Sequence, residues 1–550
     1  MKFINYSLKA AAILGLLIFS VLTYYSWRYT TVMTAIGEHL SEEKDSLISH
    51  ILFTALALLL VGGIQKLSGK VTEKQVRIFA VAVSILITGL LLWWVKSAEA
   101  YPVADQGSVY HGAVFAVDGE YPEMGQGGYF YMYPFQLSLV FLYSVIFKLS
   151  GCTDPIIIQY VQAFFVGIAI YAGSEIAGEV FGSIKVKLSY LLIAIFCFPL
   201  LFYTLYVYGE TAGVASASVF IWMLVLVFKN MTGERTGKLK KRIWVIAAAA
   251  FLIAYNVRVM LTIVWIAAFI ITILLCIKNK RVLPVFMILL ILFIAAGSQK
   301  LVCRYYENCA DTSFNNGMSS WLWIAMGMQY DKEPGAFNDY NTNTYREAGG
   351  NTAKADETAK EYISERLEEL FSDPGESFSF YKKKTLNQWN EPSYGVFFMT
   401  HVMINASPLV KEVYFGRFWP ILYQFMNYYQ ALCYLAIVAV IVALLSGKHS
   451  IYQYLHCVIL IGGFLFSLIW EAKSRYIFPS LVFSLPYMAG GLVIMSDSVR
   501  KVRLGIWNRF KHNFKLVDFM QVALSDLKTN VGKYVLGNGR NRCWRNRGRS

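Results

Sequence analysis

Two stretches, DQGSVY at residues 105–110 and GYFYMYPFQ at residues 128–136, lie between one long apolar run and the next. The segment 105–136 that they bound contains several Gly and Pro residues and carries the carboxylates Asp105, Asp118, Glu120 and Glu123. So many charges and helix-breaking residues cannot lie in lipid, so we expect this segment as a loop at one membrane face. A carboxylate beside aromatic rings at that face suggests chemistry on a polar acceptor. The plain alternative is a solvated loop with an aromatic belt.

The composition is that of a membrane protein, because 56% of the 550 residues are hydrophobic and only 15% are charged. Apolar runs long enough to span a bilayer recur along the chain and predict an all-α polytopic membrane protein. The formal net charge of +15 does not point to nucleic acid here, because Lys and Arg accumulate in the cytoplasmic loops of such proteins. We therefore expect no nucleic-acid partner, and a basic tail able to contact anionic membrane lipid.

The eight cysteines are scattered and form no CxxC pair or Cys/His metal spacing. Cys303 and Cys309 lie close together in a predicted external loop, so they could form a disulfide if that face is oxidising. The N-terminal apolar run has no small-residue cleavage site followed by a soluble domain. We interpret it as a retained signal-anchor helix.

Positive charge sets the expected topology in the cell (plasma) membrane. Lys2 and Lys9 precede the first run and place the N-terminus in the cytoplasm, and the acidic loop 28–46 is then external. We count 13 apolar segments, seven of them between residues 136 and 297. Two external regions, 97–135 and 298–417, require an even number of crossings between them, so one segment fails to cross. The suspects are 136–149 and 155–180, which leaves about 12 crossings with both termini cytoplasmic.

These segments divide the chain into five parts. The predicted parts are an N-terminal helical hairpin with a cytoplasmic loop (1–76), a transmembrane module (77–297) with the first external loop (97–135), a large external loop (298–417), C-terminal transmembrane helices (418–495) and a basic cytoplasmic tail (496–550). Within the large loop, the spacing of Ile363, Leu367, Leu370 and Phe371 predicts an amphipathic helix over 356–371.

Three cations lie at predicted external helix ends. Lys473 and Arg475 alternate in the short linker that begins at Glu471, and Arg258 lies at a turn between two apolar segments. The alternation lets Lys473 and Arg475 point at one phosphate, which Arg binds bidentately and Lys binds as a point charge. A charge at such a depth is costly unless it faces a cavity or a partner. The alternative is interfacial snorkelling.

Short motifs add a resemblance over residues 77–495. They are DQ at 105–106, YMYPFQ at 131–136, KSRYIFP at 473–479, and the spaced residues Trp321, Met326, Gly327, Gly335, Asn338, Lys384 and Trp389. Together they resemble the bacterial branch of the GT-C-type membrane glycosyltransferases, a group that includes protein O-mannosyltransferases and the lipid A aminoarabinose transferase. Many members carry two adjacent acids where this chain has Asp105 followed by Gln106. We therefore assign no metal ligands and no certain cofactor, and leave a divalent metal open.

The resemblance implies a polyprenyl-phosphate sugar donor in the outer leaflet, an external active site and transfer with inversion to a glycan, a cell-wall polymer or a protein. Asp105 is then the base for the acceptor hydroxyl. Arg258, Lys473 and Arg475 are the cations for the leaving phosphate. The remaining candidates, for contact with the sugar or the acceptor, are Tyr131, Tyr133, Gln136, Glu471 and Trp389.

Other classes of protein stay open at this point. A flippase or transporter for a lipid-linked saccharide would place its charges near mid-bilayer, often in inverted repeats, whereas this chain concentrates them at one face. A polysaccharide polymerase or ligase with a lipid-diphosphate donor would use similar external cations and is poorly separated by sequence. A scaffold protein would not need Asp105 at all.

Overall fold

The computed structural model describes residues 2–235, 240–314 and 317–509, with side chains up to Lys501. Ten helices of this part are long and apolar enough to cross a membrane, or up to 12 if each of two bent helix pairs counts as one span. The prediction of an all-α polytopic membrane protein is therefore confirmed. Most of the predicted basic tail (510–550) and part of one basic loop (236–239) lie outside the described residues.

The N-terminal part holds the first departure from prediction. The acidic loop 28–46 is a β-hairpin, in which Tyr29 pairs with Lys44. Aromatic and β-branched residues in the first strand favour this conformation, and the backbone N–H of Thr31 donates to the Asn390 carbonyl at 3.0 Å. The elements are α1 (Lys2–Ser26), β1 (Tyr29–Thr34), β2 (Gly37–Lys44), α2 (Leu47–Ser68) and α3 (Glu73–Ala98).

The segment predicted as the first external loop is largely helical. It forms α4 (Ala104–Asp118) and the single turn α5 (Tyr129–Met132). Gly119, at a φ of 80°, ends α4 in the left-handed conformation that glycine adopts without strain. Asp105 consequently lies in the first turn of a helix rather than on a loop.

Eight helices follow up to residue 310. They are α6 (Leu137–Ser150), α7 (Ile156–Phe181), α8 (Ile184–Ile195), α9 (Phe198–Phe202), α10 (Glu210–Met231), α11 (Arg242–Val257), α12 (Thr262–Asn279) and α13 (Leu283–Ala310). Of the two suspects for a non-crossing segment, α7 has 26 residues, about 39 Å, which exceeds the bilayer core of about 30 Å. Helix α6 has only 14 residues and follows a 106° bend. Of the two suspects, it alone remains a candidate for the segment that does not cross. Helix α11, with 16 residues, is also short.

The large polar region begins only after Ala310, because α13 continues beyond the predicted helix end. Its helices are α14 (Ser320–Gly327), α15 (Tyr340–Glu347), α16 (Thr352–Ser372), α17 (Pro374–Trp389), α18 (Val396–Met399) and α19 (Pro408–Tyr414). The predicted amphipathic helix is α16, although Leu370 is buried while Phe371 is 80% exposed.

Cys303 and Cys309 carry free thiols. They lie six residues apart on one helix, α13, so their Cα atoms are separated by roughly 9 Å along its axis. A disulfide needs Cα atoms within about 7 Å of each other. The structure therefore gives no support to the disulfide that the sequence left open.

The C-terminal helices are α20 (Phe418–Ser446), α21 (Leu455–Ile469) and α22 (Phe478–Arg509). Helices α20 and α22 pack so closely at Gly491 that a Cβ there would clash with the backbone of Ala436. The eight residues 470–477 join α21 to α22 and lie beside the start of α4. This linker places Arg475 against Asp105 and Lys473 beside Glu471 and Glu38.

Candidate active site

Asp105 and Arg475 meet although 370 residues separate them, with Arg475 Nη2 3.4 Å from Asp105 Oδ2. The Asp105 side chain is 44% exposed, and that of Arg475 is 7% exposed. Asp105 lies at the N-terminus of α4, where the helix dipole favours a carboxylate. The preceding Ala104 has a φ of 53°, a strained conformation of the kind that clusters at functional sites. The pair therefore joins an accessible carboxylate to a buried cation.

Gln106 fixes the position of this helix end. Its side-chain carbonyl accepts from the Val207 N–H at 3.0 Å, and its amide donates to the Met399 carbonyl at 2.9 Å. Gln106 is buried. The second residue of the Asp-Gln motif thus anchors α4 to the segment 206–210 and to α18.

The Arg475 guanidinium has one edge without a close partner. Its Nη1 donates to the Tyr206 hydroxyl at 2.6 Å, whereas Nη2 has only 3.4 Å contacts to Asp105 and Tyr476. Its Nε is buried and makes no hydrogen bond to the described residues. Two parallel N–H groups of a guanidinium form the fork that binds a carboxylate or phosphate bidentately. The edge formed by Nε and Nη2 is therefore suited to an anion.

Tyr208 lies between the two arginines. The Cζ atoms of Arg258 and Arg475 lie 5.1 Å and 5.5 Å from the centre of its ring, within the range of a cation–π interaction. Its hydroxyl accepts from Gln136 Nε2 at 2.6 Å and lies 3.2 Å from the Tyr129 hydroxyl. Tyr208 therefore links three parts of the site through one buried side chain.

Arg258 forms a close ion pair with Glu210, with 2.6 Å between Nη2 and Oε1. Glu210 is the first residue of α10, and Arg258 follows the last residue of α11. Gly209, at a φ of 90°, lets the two helix ends approach, since a Cβ there would lie 2.9 Å from the Val257 carbonyl oxygen. The charge of Arg258 is therefore matched before any ligand binds.

Lys473 and Glu471 form the other charged pair of the linker, at 3.3 Å, and Glu38 of the β-hairpin lies 3.7 Å from the same amine. The Tyr476 hydroxyl donates to Glu471 at 3.0 Å. Burial, the largest single effect, disfavours the charged amine, but Glu471, Glu38 and Tyr476 together outweigh it, so the pKa of Lys473 lies above its ordinary value. Lys473 is thus a cation at neutral pH.

Aromatic rings extend from Asp105 towards α14. The Tyr129 hydroxyl lies 3.4 Å from Asp105 Oδ1, and the rings of Tyr129 and Tyr133 are 4.7 Å apart. Tyr133 also lies 6.0 Å from Trp323, and its hydroxyl is 3.4 Å from that of Thr342. Such rings can stack on a sugar or hydrogen-bond to it.

The structure brings most of the predicted residues into one cluster. These are Asp105, Tyr133, Gln136, Arg258, Glu471, Lys473 and Arg475. Two predicted residues are not part of it. Tyr131 points away from Asp105, because residues 129 and 133 share one side of the turn, and it lies buried beside Gly350. Trp389 is buried in the helix core, where its Nε1 donates to Ser467 Oγ at 2.9 Å; its expected role in binding is corrected accordingly.

Sequence reasoning missed four members of the cluster, which are Tyr129, Tyr206, Tyr208 and Glu210. The sequence YVYGE at residues 206–210 could have indicated three of them, because it places a carboxylate and two tyrosines between two apolar segments. Nothing in the sequence distinguishes Tyr129 from Tyr131. Within the described residues, no three His, Cys, Asp or Glu side chains are arranged to hold a metal ion.

Comparison with known proteins gives little further information. No protein-family model matches the chain, and no curated protein matches it significantly. Among solved structures, it is similar to the archaeal oligosaccharyltransferase AglB from Archaeoglobus fulgidus in complex with an inhibitory peptide and a dolichol-phosphate. That match has 14% identity and a TM-score of 0.38, and it covers 84% of this chain but only 55% of the length of AglB. A likeness of this size assigns no activity.

Proposed function

We propose that this protein is a GT-C-type inverting glycosyltransferase. It moves a sugar from a polyprenyl-phosphate donor to an acceptor at the external face of the membrane. The observation that carries the proposal is the contact between the accessible carboxylate of Asp105 and the buried guanidinium of Arg475. The contact places a candidate base beside a candidate binding group for the leaving phosphate.

Arg475 is the principal phosphate ligand in this proposal. Its Nε makes no hydrogen bond to the described residues, its Nη2 has only the 3.4 Å contacts to Asp105 and Tyr476, and the Tyr206 hydroxyl holds Nη1. A preorganised cation in a site with little water stabilises the charge that develops on a leaving phosphate. Lys473 adds a second cation on the same linker.

Asp105 is the base. The acceptor oxygen attacks the anomeric carbon, the bond from that carbon to the phosphate oxygen breaks, and the acceptor proton passes to the carboxylate. Polyprenyl phosphate then leaves with the electron pair. Attack opposite the leaving group in a single step inverts the configuration. Burial raises the pKa of both Tyr129 and Tyr133 above the ordinary tyrosine value, so both hydroxyls keep their protons at neutral pH and are far weaker bases than a carboxylate.

Tyr129, Tyr133 and Trp323 line the same region and are placed to contact the transferred sugar. Glu471 and Gln136 act more indirectly in the proposal, because Glu471 accompanies Lys473 and Gln136 holds the Tyr208 hydroxyl. The acceptor is a glycan, a cell-wall polymer or a protein with a free hydroxyl.

One observation favours a second candidate, which is a polymerase or ligase with a lipid-diphosphate donor. Two guanidinium groups share the Tyr208 ring, and two phosphates could engage both. The ion pair between Arg258 and Glu210 weighs against it, because it leaves Arg475 as the arginine with an open edge. The two candidates release different lipid products.

The test uses purified protein, radiolabelled polyprenyl-phosphate sugars and a cell-envelope extract as the source of acceptor. We expect free polyprenyl phosphate to be released by the wild type and by Asp118→Asn, which removes a carboxylate from the far end of the same helix. Asp105→Asn should lose about 10²–10⁴ of the rate, the usual contribution of a general base. Release of polyprenyl diphosphate from diphosphate donors would support the second candidate instead. Saccharide flipping in proteoliposomes without any release would contradict both.

A further inference from the structure

An open cavity of about 650 Å³ lies at the base of the β-hairpin, apart from the Asp105 cluster. Its walls come from the end of α1, the start of α2 and the middle of α20. The lining residues used below are Tyr24, Trp27, Arg28, Lys44, Leu47 and Leu435. Its volume lies within the range of small-molecule sites, and the proposed transfer reaction makes no use of it.

The cavity opens where two candidate spans end. Helix α1 ends at Ser26 and α2 begins at Leu47, so the opening lies at the level where a hydrocarbon core meets the lipid headgroups. Tyr24 and Leu47 on its rim are 54% and 53% exposed. Tyr and Trp at such a level are typical of a membrane interface. An occupant would therefore reach the cavity from the membrane.

Two cations stand at this opening without an acidic partner. Arg28 and Lys44 flank the hairpin base, where the Asp45 N–H donates to the Arg28 carbonyl at 2.8 Å. In the part of the chain that the structure describes, neither side chain has a carboxylate within 4.0 Å. Arg28 lies over the Tyr24 ring at 4.8 Å. Both cations thus have room for an anion.

The one carboxylate in the cavity wall is already engaged. Asp45 accepts from the Thr30 hydroxyl at 2.6 Å and from Asn427 Nδ2 at 2.9 Å, and His50 Nε2 lies 3.6 Å away. The His50 ring stacks on Trp27 with a centroid distance of 5.4 Å. These contacts hold Asp45 on the wall, where it forms no ion pair with Arg28 or Lys44.

We propose that this cavity binds the headgroup of an anionic phospholipid. The phosphate lies between Arg28 and Lys44, and an acyl chain follows the apolar wall formed by Tyr24, Leu47 and Leu435. Arg and Lys both bind phosphate through charge-assisted hydrogen bonds. Each cation near an anionic membrane surface adds about 1 kcal/mol of attraction, so loss of both should weaken binding about 30-fold.

The test is native mass spectrometry of the full chain in detergent, titrated with dioleoylphosphatidylglycerol or with dioleoylphosphatidylcholine. We expect one tightly bound phosphatidylglycerol on the wild type and weaker binding by about 30-fold on Arg28→Ala/Lys44→Ala. The control Lys411→Ala/Arg417→Ala removes one exposed cation from α19 and another from the residue that precedes α20, and it should bind as the wild type does.

A second variant tests the cavity itself. Leu435→Trp fills the apolar wall without changing charge and should also weaken phosphatidylglycerol binding, while the apparent melting temperature shows whether the variant is folded. Equal phosphatidylglycerol affinity of the wild type and Arg28→Ala/Lys44→Ala would overturn the proposal. So would equal binding of the anionic and zwitterionic lipids to the wild type.

Discussion

Arg258 Nη2 lies 2.6 Å from Glu210 Oε1, and both side chains are largely buried. This pairing changes the expectation that Arg258 is a free phosphate ligand, because its charge is already matched. A buried ion pair need not add net stability, but a partner left alone is strongly unfavourable. Arg258 thus has a structural role in addition to any role in binding, because it holds the end of α11 to the start of α10.

Removing one member of that pair should therefore destabilise the protein, and removing both should not. We expect Arg258→Met to cost roughly 3–5 kcal/mol, because Glu210 is left as an unpaired buried charge. Arg258→Met/Glu210→Gln should recover most of the apparent melting temperature in detergent. A double variant no more stable than the single one would contradict the pairing. If the double variant is stable but turns over no donor, Arg258 also contacts the donor.

A second prediction concerns the open edge of Arg475. Arg475→Lys keeps the charge but removes the bidentate guanidinium and its hydrogen bond to the Tyr206 hydroxyl. Because loss of a hydrogen bond to a charged group costs about 1.5–3 kcal/mol, the KM for the donor should rise about tenfold or more. The matched control is Arg417→Lys, on an exposed side chain. An unchanged KM for the polyprenyl-phosphate sugar would remove Arg475 from the phosphate-binding role.

Tyr208 offers a matched pair of variants. Tyr208→Phe keeps the ring that both guanidinium groups face but loses the hydroxyl that accepts from Gln136. Tyr208→Leu loses both. Because a cation–π contact is worth about 0.5–2 kcal/mol, we expect the turnover of Tyr208→Leu to fall several-fold below that of Tyr208→Phe. Equal rates for the two variants would show that the ring does not hold the cations.

The transmembrane architecture could be predicted because lipid imposes it locally. A span such as α2 faces lipid over most of its surface and has to be apolar throughout. The elements outside the spans follow different rules. Helix α4 has Gly107 and Gly112 in its interior and was expected as a loop, yet Gly112 is needed there because a Cβ would clash with the Phe130 ring. Tertiary packing, which the sequence does not display, overrides helix propensity.

The candidate site was predictable in its charges but not in its contacts. Asp105 and Arg475 stand out because ionisable groups at the ends of apolar segments are costly unless they have a use. Their meeting depends on how the 470–477 linker folds back onto α4, which no local pattern records. The choice between Tyr129 and Tyr131 depends on one helical turn, α5, that orients residues 129 and 133 together.

The last prediction concerns the buried amine of Lys384, which links the polar region to α21 by hydrogen bonds. Its Nζ donates to the Gly327 carbonyl and, at 2.9 Å, to the Leu468 carbonyl. Burial lowers the pKa of Lys384 to about 7, with Glu471 acting in the opposite direction. An unfolded lysine keeps its proton to about pH 10.4. Between these values the unfolded state binds more protons than the folded state, so the contribution of Lys384 to stability rises with pH.

We therefore compare the wild type with Lys384→Met at pH 6 and at pH 9. The stability of the wild type relative to the variant should increase over this range, by at most roughly 1.4 kcal/mol for each pH unit above 7, because the buried amine sheds its unfavourable charge. The readout is the difference in apparent melting temperature in detergent. Lys383→Met is the control, because Lys383 is exposed and its amine lies 3.0 Å from the Glu333 carboxylate. Burial opposes the charge of Lys383, but Glu333 more than offsets it, so the pKa of Lys383 is raised. Its difference from the wild type should stay constant between pH 6 and 9, and a constant difference for Lys384→Met as well would show that Lys384 keeps its proton in the folded protein.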